Sequence, residues 1–304
     1  MDFEVLIDDS FIDICTDGDV SPIANKSVLS LINDFEDGQW RYGKFQSFIW
    51  DNISETALSY EERQCLVDQS HSTLAAAAKN LRLTDKEKDI GKGSELAEIV
   101  LYGVMKHHYS ALPVVPKIFY KQNSQDNAKG ADGVHIVIEG DDFSLWFGEA
   151  KFYTSIENAR LSSIVSSVEN SLVTDKMKKE NSIITNVADI DHLVANVELR
   201  DRIKDSLSNR RSIDELKPKI NIPIFILHEC EITQKSKSLT DEYREEIRGY
   251  HKERANSYFK KQIDKIGDIF MYEDIKFHII LFPVPSKDII VDKFVKNVEH
   301  YKDQ

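Results

Sequence analysis

Three cysteines, seven prolines and twelve glycines in 304 residues are too few for the architectures that depend on them. Cys15, Cys65 and Cys230 are an odd number at no metal-ligand spacing. This excludes a disulfide framework or a cysteine-built zinc site and leaves reduced, small hydrophobic side chains as the expectation. With so little proline and glycine, and no repeat or low-complexity tract, the chain is neither fibrous nor linker-like. No stretch approaches the roughly 18 consecutive apolar residues of a membrane span. The opening MDFEVLIDDSFIDIC has neither the basic stretch nor the apolar block of a signal peptide, so a cytoplasmic protein with no membrane partner is expected. A phosphate-cradling glycine loop, a CxxC pair and a G-x-S-x-G elbow are also missing, which removes the nucleotide, redox and serine-hydrolase chemistries those motifs carry.

An excess of positive charge is lacking as well. The net charge is -13, which sits badly with nucleic acid, because Lys and Arg supply most non-specific affinity for phosphate. The distribution changes that reading. Residues 1–90 carry 18 acidic and 8 basic side chains, against 34 and 31 in the remainder. The acidity is therefore concentrated at the N-terminal end. The rest is near neutral and holds basic clusters: Lys176, Lys178 and Lys179; Arg200, Arg202 and Lys204; Arg210, Arg211, Lys217 and Lys219. Each cluster reads equally well as a solvated helix surface.

What is present is an ordinary globular composition, 41% hydrophobic and 30% charged, long enough to bury a full core. Residues 1 to about 50 read as short apolar runs between turn residues, among them Phe3–Ile7, Phe11–Cys15 and Phe45–Trp50. Strands are expected there, with one short helix near Ser27–Phe35. Residues 55–82 have a helical pattern that includes an alanine run. The polar run Thr84–Gly93 marks the best boundary, dividing an acidic α+β region (1–90) packed on the core from a domain at 91–304. In that domain Ser94–His108 has a helical apolar face, with Ser94 as a candidate cap. Pro113–Tyr120, Gly133–Glu139 and Ser144–Phe152 read as strands, the last two joined by a tight turn at 140–142. Ser155–Leu172 reads as a helix, Ile220–His228 and Ile275–Pro283 as buried strands, and about Ser238–Ile266 as a long charged helix. Helix, three strands, helix, strand predicts an α/β (α+β) domain with a mixed central sheet.

Chemistry gathers on the strand pair around the 140–142 turn. Glu149 and Lys151 are two apart on one strand, so both face the same way. Counting back from the turn puts Asp132 opposite them. Two carboxylates and an ammonium on one end of one sheet face suit phosphodiester hydrolysis with Mg²⁺ (or Mn²⁺), hard ions that prefer oxygen ligands. The Ala150 carbonyl offers a third oxygen, and Lys151 is placed to stabilise developing negative charge. A helix carboxylate completes such sites. Glu95 and Glu98 lie on one helix face, and Glu98 is favoured. An exposed Glu-x-Lys pair is usually just a solvated face. Here Leu145, Trp146, Phe147 and Phe152 make the strand a buried one, where charge is costly unless paired or metal-bound. His107 and His108 read as a helix-end pair suited to the dipole, and His135 as structural, on the face opposite Asp132. The His228-Glu229-Cys230 triplet is discounted, because neighbours on a strand point apart.

The stretch GADGVHIVIEGDDFSLWFGEAKFY resembles the core of the PD-(D/E)xK nuclease superfamily, with Ala131 where the name has proline. A longer pattern is similar to the HamA family, the nuclease subunit of Hachiman anti-phage defence. It runs from Gly91-Lys92-Gly93-Ser94-Glu95-Leu96-Ala97-Glu98-Ile99-Val100-Leu101-Tyr102 through Pro116–Tyr120 and Ala131–His135 to Glu149-Ala150-Lys151-Phe152-Tyr153. Phe45–Trp50 and Leu81–Leu83 are similar too. The resemblance covers 45–155 well and the C-terminal half loosely. It implies a restriction-endonuclease-like core, Asp132 and Glu149 as metal ligands, Lys151 as the catalytic lysine, and a HamB-like helicase subunit that restrains the nuclease until foreign or damaged DNA is sensed. The expected function is a DNA endonuclease with little sequence specificity. A catalytically silent interaction subunit is the alternative from another class, and the retained carboxylates and lysine tell against it. A ribonuclease would use the same metal chemistry.

Overall fold

A computed structural model describes residues 2–15, 21–83, 94–120, 131–186, 189–208 and 210–304. The chain begins with strand β1 (Glu4–Ser10), the one-turn helix α1 (Phe11–Ile14) and strand β2 (Lys26–Ile32). A small hairpin, β3 (Phe35–Glu36) and β4 (Gln39–Trp40), leads into helices α2 (Tyr42–Ala57), α3 (Tyr60–Cys65) and α4 (Ser70–Lys79). Helix α5 (Ser94–His108) precedes strand β5 (Leu112–Val115), the helical turn α6 (Lys117–Tyr120) and the hairpin β6 (Gly133–Glu139) and β7 (Asp142–Tyr153). Helices α7 (Asn158–Ser171), α8 (Thr174–Asn186), α9 (Asp189–Leu193) and α10 (Val197–Ser206) follow. Strand β8 (Ile220–Glu229), helices α11 (Glu231–Lys235) and α12 (Asp241–Ile266), strand β9 (Lys276–Val284) and helix α13 (Lys287–Lys302) complete the chain.

Among the described residues, seven strands form one mixed sheet in the order β1-β2-β9-β8-β7-β6-β5. The inner strands β2, β9, β8 and β7 run parallel, and antiparallel pairs close both ends. Strands β8 and β9 are apolar at nearly every position because helices cover both of their faces. One face packs under α2, α4, α5 and α13, through Phe45, Ile49, Ala77, Leu101, Ile290 and Phe294. The other packs under α7, α8, α10 and α12, through Leu161, Ile164, Val168, Ile203, Ile247 and Phe259. In α7 the buried Leu161, Ile164, Val165 and Val168 recur at helical spacing, which fixes the face it turns to the sheet.

The expected α/β class and mixed sheet are found, and the order α5, β5, β6, β7, α7, β8 follows the reading, with α6 and α8–α10 inserted. The acidic 1–90 region supplies β1 and β2 to the same sheet, where β2 pairs with β9. The expected boundary at Thr84–Gly93 lies outside the described residues apart from its neighbours. Several expectations need correction. Ser27–Phe35 is not helical: Lys26–Ile32 is strand β2, buried on both faces, where an almost continuous apolar run carries no period to read. Phe45–Trp50 belongs to helix α2, whose Phe45, Ile49 and Ile53 stack at four-residue spacing into the core. Phe11–Cys15 is a helical turn. The strand expected at Pro113–Tyr120 stops at Val115, and Lys117–Tyr120 turns helical after Pro116.

Three imidazoles are enclosed in this core. His135, His228 and His251 are at most 1% exposed. His251 joins Ser30 Oγ at 2.7 Å through Nδ1 and His228 at 3.1 Å through Nε2. Burial lowers His135 to about 3 and His228 to about 4, and also lowers His251. Folded values below the unfolded value of about 6.5 mean that the unfolded chain takes up protons first. Stability is thus full above about pH 6.5 and is lost as pH falls toward the folded values. Thermal unfolding between pH 7 and pH 5 should show a falling midpoint, with about 1.4 kcal/mol per pH unit for each such histidine below its unfolded pKa. A midpoint independent of pH over that range would contradict neutral burial.

Candidate active site

The site is built where β6 begins and β7 ends. Gly140, with φ of +61°, and Asp141 close the hairpin, and Glu139 pairs with Asp142. From there the register runs to Gly133 opposite Gly148. The Asp132 N–H donates to the Gly148 carbonyl at 2.7 Å, which carries the pairing one residue further. Gly148 lets the helix layer close on this strand: a Cβ there would lie 2.7 Å from Leu101 of α5 and 3.5 Å from Pro223 of β8. Pro223 has no N–H to give, and the β7–β8 pairing is interrupted between Trp146–Asn221 and Glu149–Ile224.

Asp132, Glu149 and Lys151 share the face that looks toward α7. The Ala150 N–H donates to Asp132 Oδ2 at 3.1 Å. The Lys151 ammonium lies 2.5 Å from Glu149 Oε1, 3.4 Å from Asp132 Oδ2 and 3.2 Å from the Ala150 carbonyl. Ser167 Oγ, on α7, donates to Glu149 Oε1 at 2.5 Å. Glu149 is only 7% exposed, whereas the side chains of Asp132 and Lys151 keep 17% and 29% of their surface open. Burial, and then the neighbouring Asp132 charge, push the Glu149 carboxyl up; Lys151 and Ser167 hold it back. Burial pulls the Lys151 pKa down, but Asp132 and Glu149 outweigh it and raise it, so the ammonium stays charged.

Three oxygens therefore converge on a cation. Asp132 Oδ2, Glu149 Oε1 and the Ala150 carbonyl make an all-oxygen set with no soft donor, and the ammonium between them occupies the place a small hard cation would take. These residues fit Mg²⁺ or Mn²⁺ as ligands. Glu98 is a different case. It is buried at 7% on α5, the layer that covers the opposite face of β7. Among the described residues no three His, Cys, Asp or Glu side chains are close enough to hold an ion together, so Glu98 is not gathered with Asp132 and Glu149. Glu95 is engaged elsewhere, accepting from the Arg82 and Leu83 amides at 2.8 and 2.9 Å.

The corner before Asp132 has a support that sequence reading missed. Glu180 of α8 accepts from the Ala131 amide at 3.2 Å and from Lys117 Nζ at 2.5 Å. Both side chains of this ion pair are under 10% exposed. In the sequence Glu180 is one more charge in a charged helix, and nothing local distinguishes it from Lys178 or Lys179. The basic clusters are largely tied up: Arg200 and Lys204 meet Asp191, Arg211 meets Asp205, Lys217 meets Asp214, and Lys219 meets Asp142. His135 packs on Tyr102 of α5, on the face away from Asp132. His108 sits 3.3 Å from Asp8 at the end of α5. His228 turns to His251, whereas the Glu229 carboxylate accepts from the Lys287 amide, so the 228–230 triplet does not converge.

A HamA family profile matches residues 9–298. The chain belongs to the HamA family. The match covers nearly the whole length, including the C-terminal half where the sequence resemblance was loose. HamA membership suggests a component of Hachiman defence. No curated protein matches the chain. Among the described residues no helix is long and apolar enough to cross a membrane.

The Glu180 support is directly testable. Glu180→Ala removes one partner of a buried ion pair and an acceptor for a buried amide, and should destabilise this HamA chain by about 3 kcal/mol in chemical denaturation. A loss below about 1 kcal/mol would show that the pair does not hold the corner.

Proposed function

We propose that this HamA chain is a metal-dependent DNA endonuclease, the effector subunit of Hachiman defence, acting with a HamB-like helicase and with little sequence specificity. The observation that carries the reading is the convergence of two carboxylates and one carbonyl on the Lys151 ammonium at the end of β7. The PD-(D/E)xK likeness of Asp132, Glu149 and Lys151 supports it, as does a sheet that keeps the three on one face.

Asp132, Glu149 and the Ala150 carbonyl would hold Mg²⁺ or Mn²⁺. Such an ion, when bound, acidifies a water and screens charge on the scissile phosphate. The chain's own groups do the rest. The Ala150 amide fixes the Asp132 carboxylate, and Ser167 fixes Glu149. Lys151, kept protonated by its carboxylate neighbours, supplies a positive charge and N–H donors for the phosphate oxygens as they gain charge. Nothing in the chain matches a base-reading element, which agrees with weak sequence preference. The acidic 1–90 region opposes free association with DNA, and a helicase partner would deliver the substrate.

Purified protein, with and without the helicase encoded beside it, is to be incubated with plasmid, single-stranded DNA and RNA at low salt. DNA should be cut in Mg²⁺ or Mn²⁺, excess EDTA should stop the reaction, and Ca²⁺ should not support it. Cleavage that survives the chelator would refute metal dependence, and preferential loss of RNA would move the reading to a ribonuclease.

Glu149→Ala and Lys151→Ala should each abolish cleavage while the protein still unfolds cooperatively. Full activity in either variant would overturn the assignment of the site.

A further inference from the structure

The face that carries Glu149 and Lys151 continues to Tyr153, two residues further along β7 and so about 6.6 Å beyond Lys151 along the strand. Tyr153 is only 7% exposed. The Arg160 guanidinium lies over its ring, 5.3 Å from the centroid. Arg160 is in the first turn of α7, the 14-residue helix that also brings Ser167 to Glu149. Two features bear on what it could bind. Arg41, Arg63, Arg244, Arg248 and Arg254 all meet a carboxylate. Arg160 meets none among the described residues, in a chain with 13 more acidic than basic side chains. It also stands at the positive end of the helix dipole, where a cation is disfavoured and an anion is favoured. The aromatic ring beneath it restrains the guanidinium beforehand, so less freedom remains to be lost on binding.

We propose that Arg160, set over the Tyr153 ring, is a phosphate subsite that grips the backbone phosphate next to the scissile one. The inference rests on the nuclease reading and extends it to how the substrate strand is placed. Tyr153, beneath the guanidinium, stands about 6.6 Å from Lys151 along the strand, a step comparable with that between neighbouring phosphates of one strand. Arg160 thus binds the strand while Asp132, Glu149 and Lys151 act on it. The contact is to the backbone and carries no base preference.

The full-length protein is to be titrated into fluorescein-labelled duplex and single-stranded DNA in Ca²⁺, across a series of low salt concentrations. KM and kcat for plasmid cleavage are measured in Mg²⁺ alongside. Arg160→Ala should weaken binding about tenfold, lower the slope of log affinity against log salt by about 1, and raise KM far more than it lowers kcat. Arg160→Lys, which keeps the charge, should restore most of the slope. If the parent protein binds and cuts DNA while Arg160→Ala leaves affinity, slope and KM unchanged, the subsite is wrong and the nuclease reading stands. A parent protein that neither binds nor cuts nucleic acid, alone or together with a HamB-like helicase, would overturn both.

Discussion

The Lys151 ammonium is held between Glu149, Asp132 and the Ala150 carbonyl at the end of a strand whose neighbours are mostly apolar. In such surroundings a lone charge costs several kcal/mol, and a pair of carboxylates costs more. Each of the three charges is tolerable because the others are present. Glu149 and Asp132 raise the lysine's pKa, and the lysine in turn offsets part of the rise that burial and Asp132 impose on Glu149. Such a balance also makes a cation site that is never without a cation. On the nuclease reading proposed above, the same oxygens would hold a divalent ion, and Lys151 would then be available to the phosphate.

The scaffold around this point holds the geometry tightly. Gly148 admits Leu101 against the strand from one side, and α7 presents Ser167 from the other. Glu180 and Lys117 clamp the amide just ahead of Asp132. One carboxylate is thus fixed from β7 and α8, and the other from α7. The parallel inner strands beneath are buried on both faces. Glu149 and Lys151 therefore stand on a strand within the sheet, and Asp132 one residue ahead of β6.

The central triad was legible in the sequence because its three members depend only on local rules. Strand alternation puts Glu149 and Lys151 on one face, and a two-residue turn fixes how far back Asp132 must lie. Its supports were not legible. Ser167 reaches Glu149 from 18 residues away and Glu180 reaches Ala131 from 49, and no periodicity encodes contacts between separate elements. Glu95 and Glu98 share one helix face in the sequence reading, which cannot say where that face turns; in the structure Glu98 lies buried on α5, the layer across the sheet. Strand β2 escaped for another reason. Covered on both faces, it has neither the alternation of a half-exposed strand nor the stripe of an amphipathic helix, so Lys26–Ile32 reads as helix or strand with equal ease.

The competition between the ammonium and a metal ion for the same oxygens is the centre of this account, and calorimetric titration of Mn²⁺ into the parent protein and Lys151→Met measures it. Removing the resident cation should leave Asp132, Glu149 and the Ala150 carbonyl in place. Lys151→Met should then bind Mn²⁺ more tightly than the parent, with no DNA cleavage expected on the proposed reading, and Glu149→Ala in the same background should lose the binding. Weaker binding by Lys151→Met, or binding unaffected by Glu149→Ala, would contradict an oxygen site shared by lysine and metal.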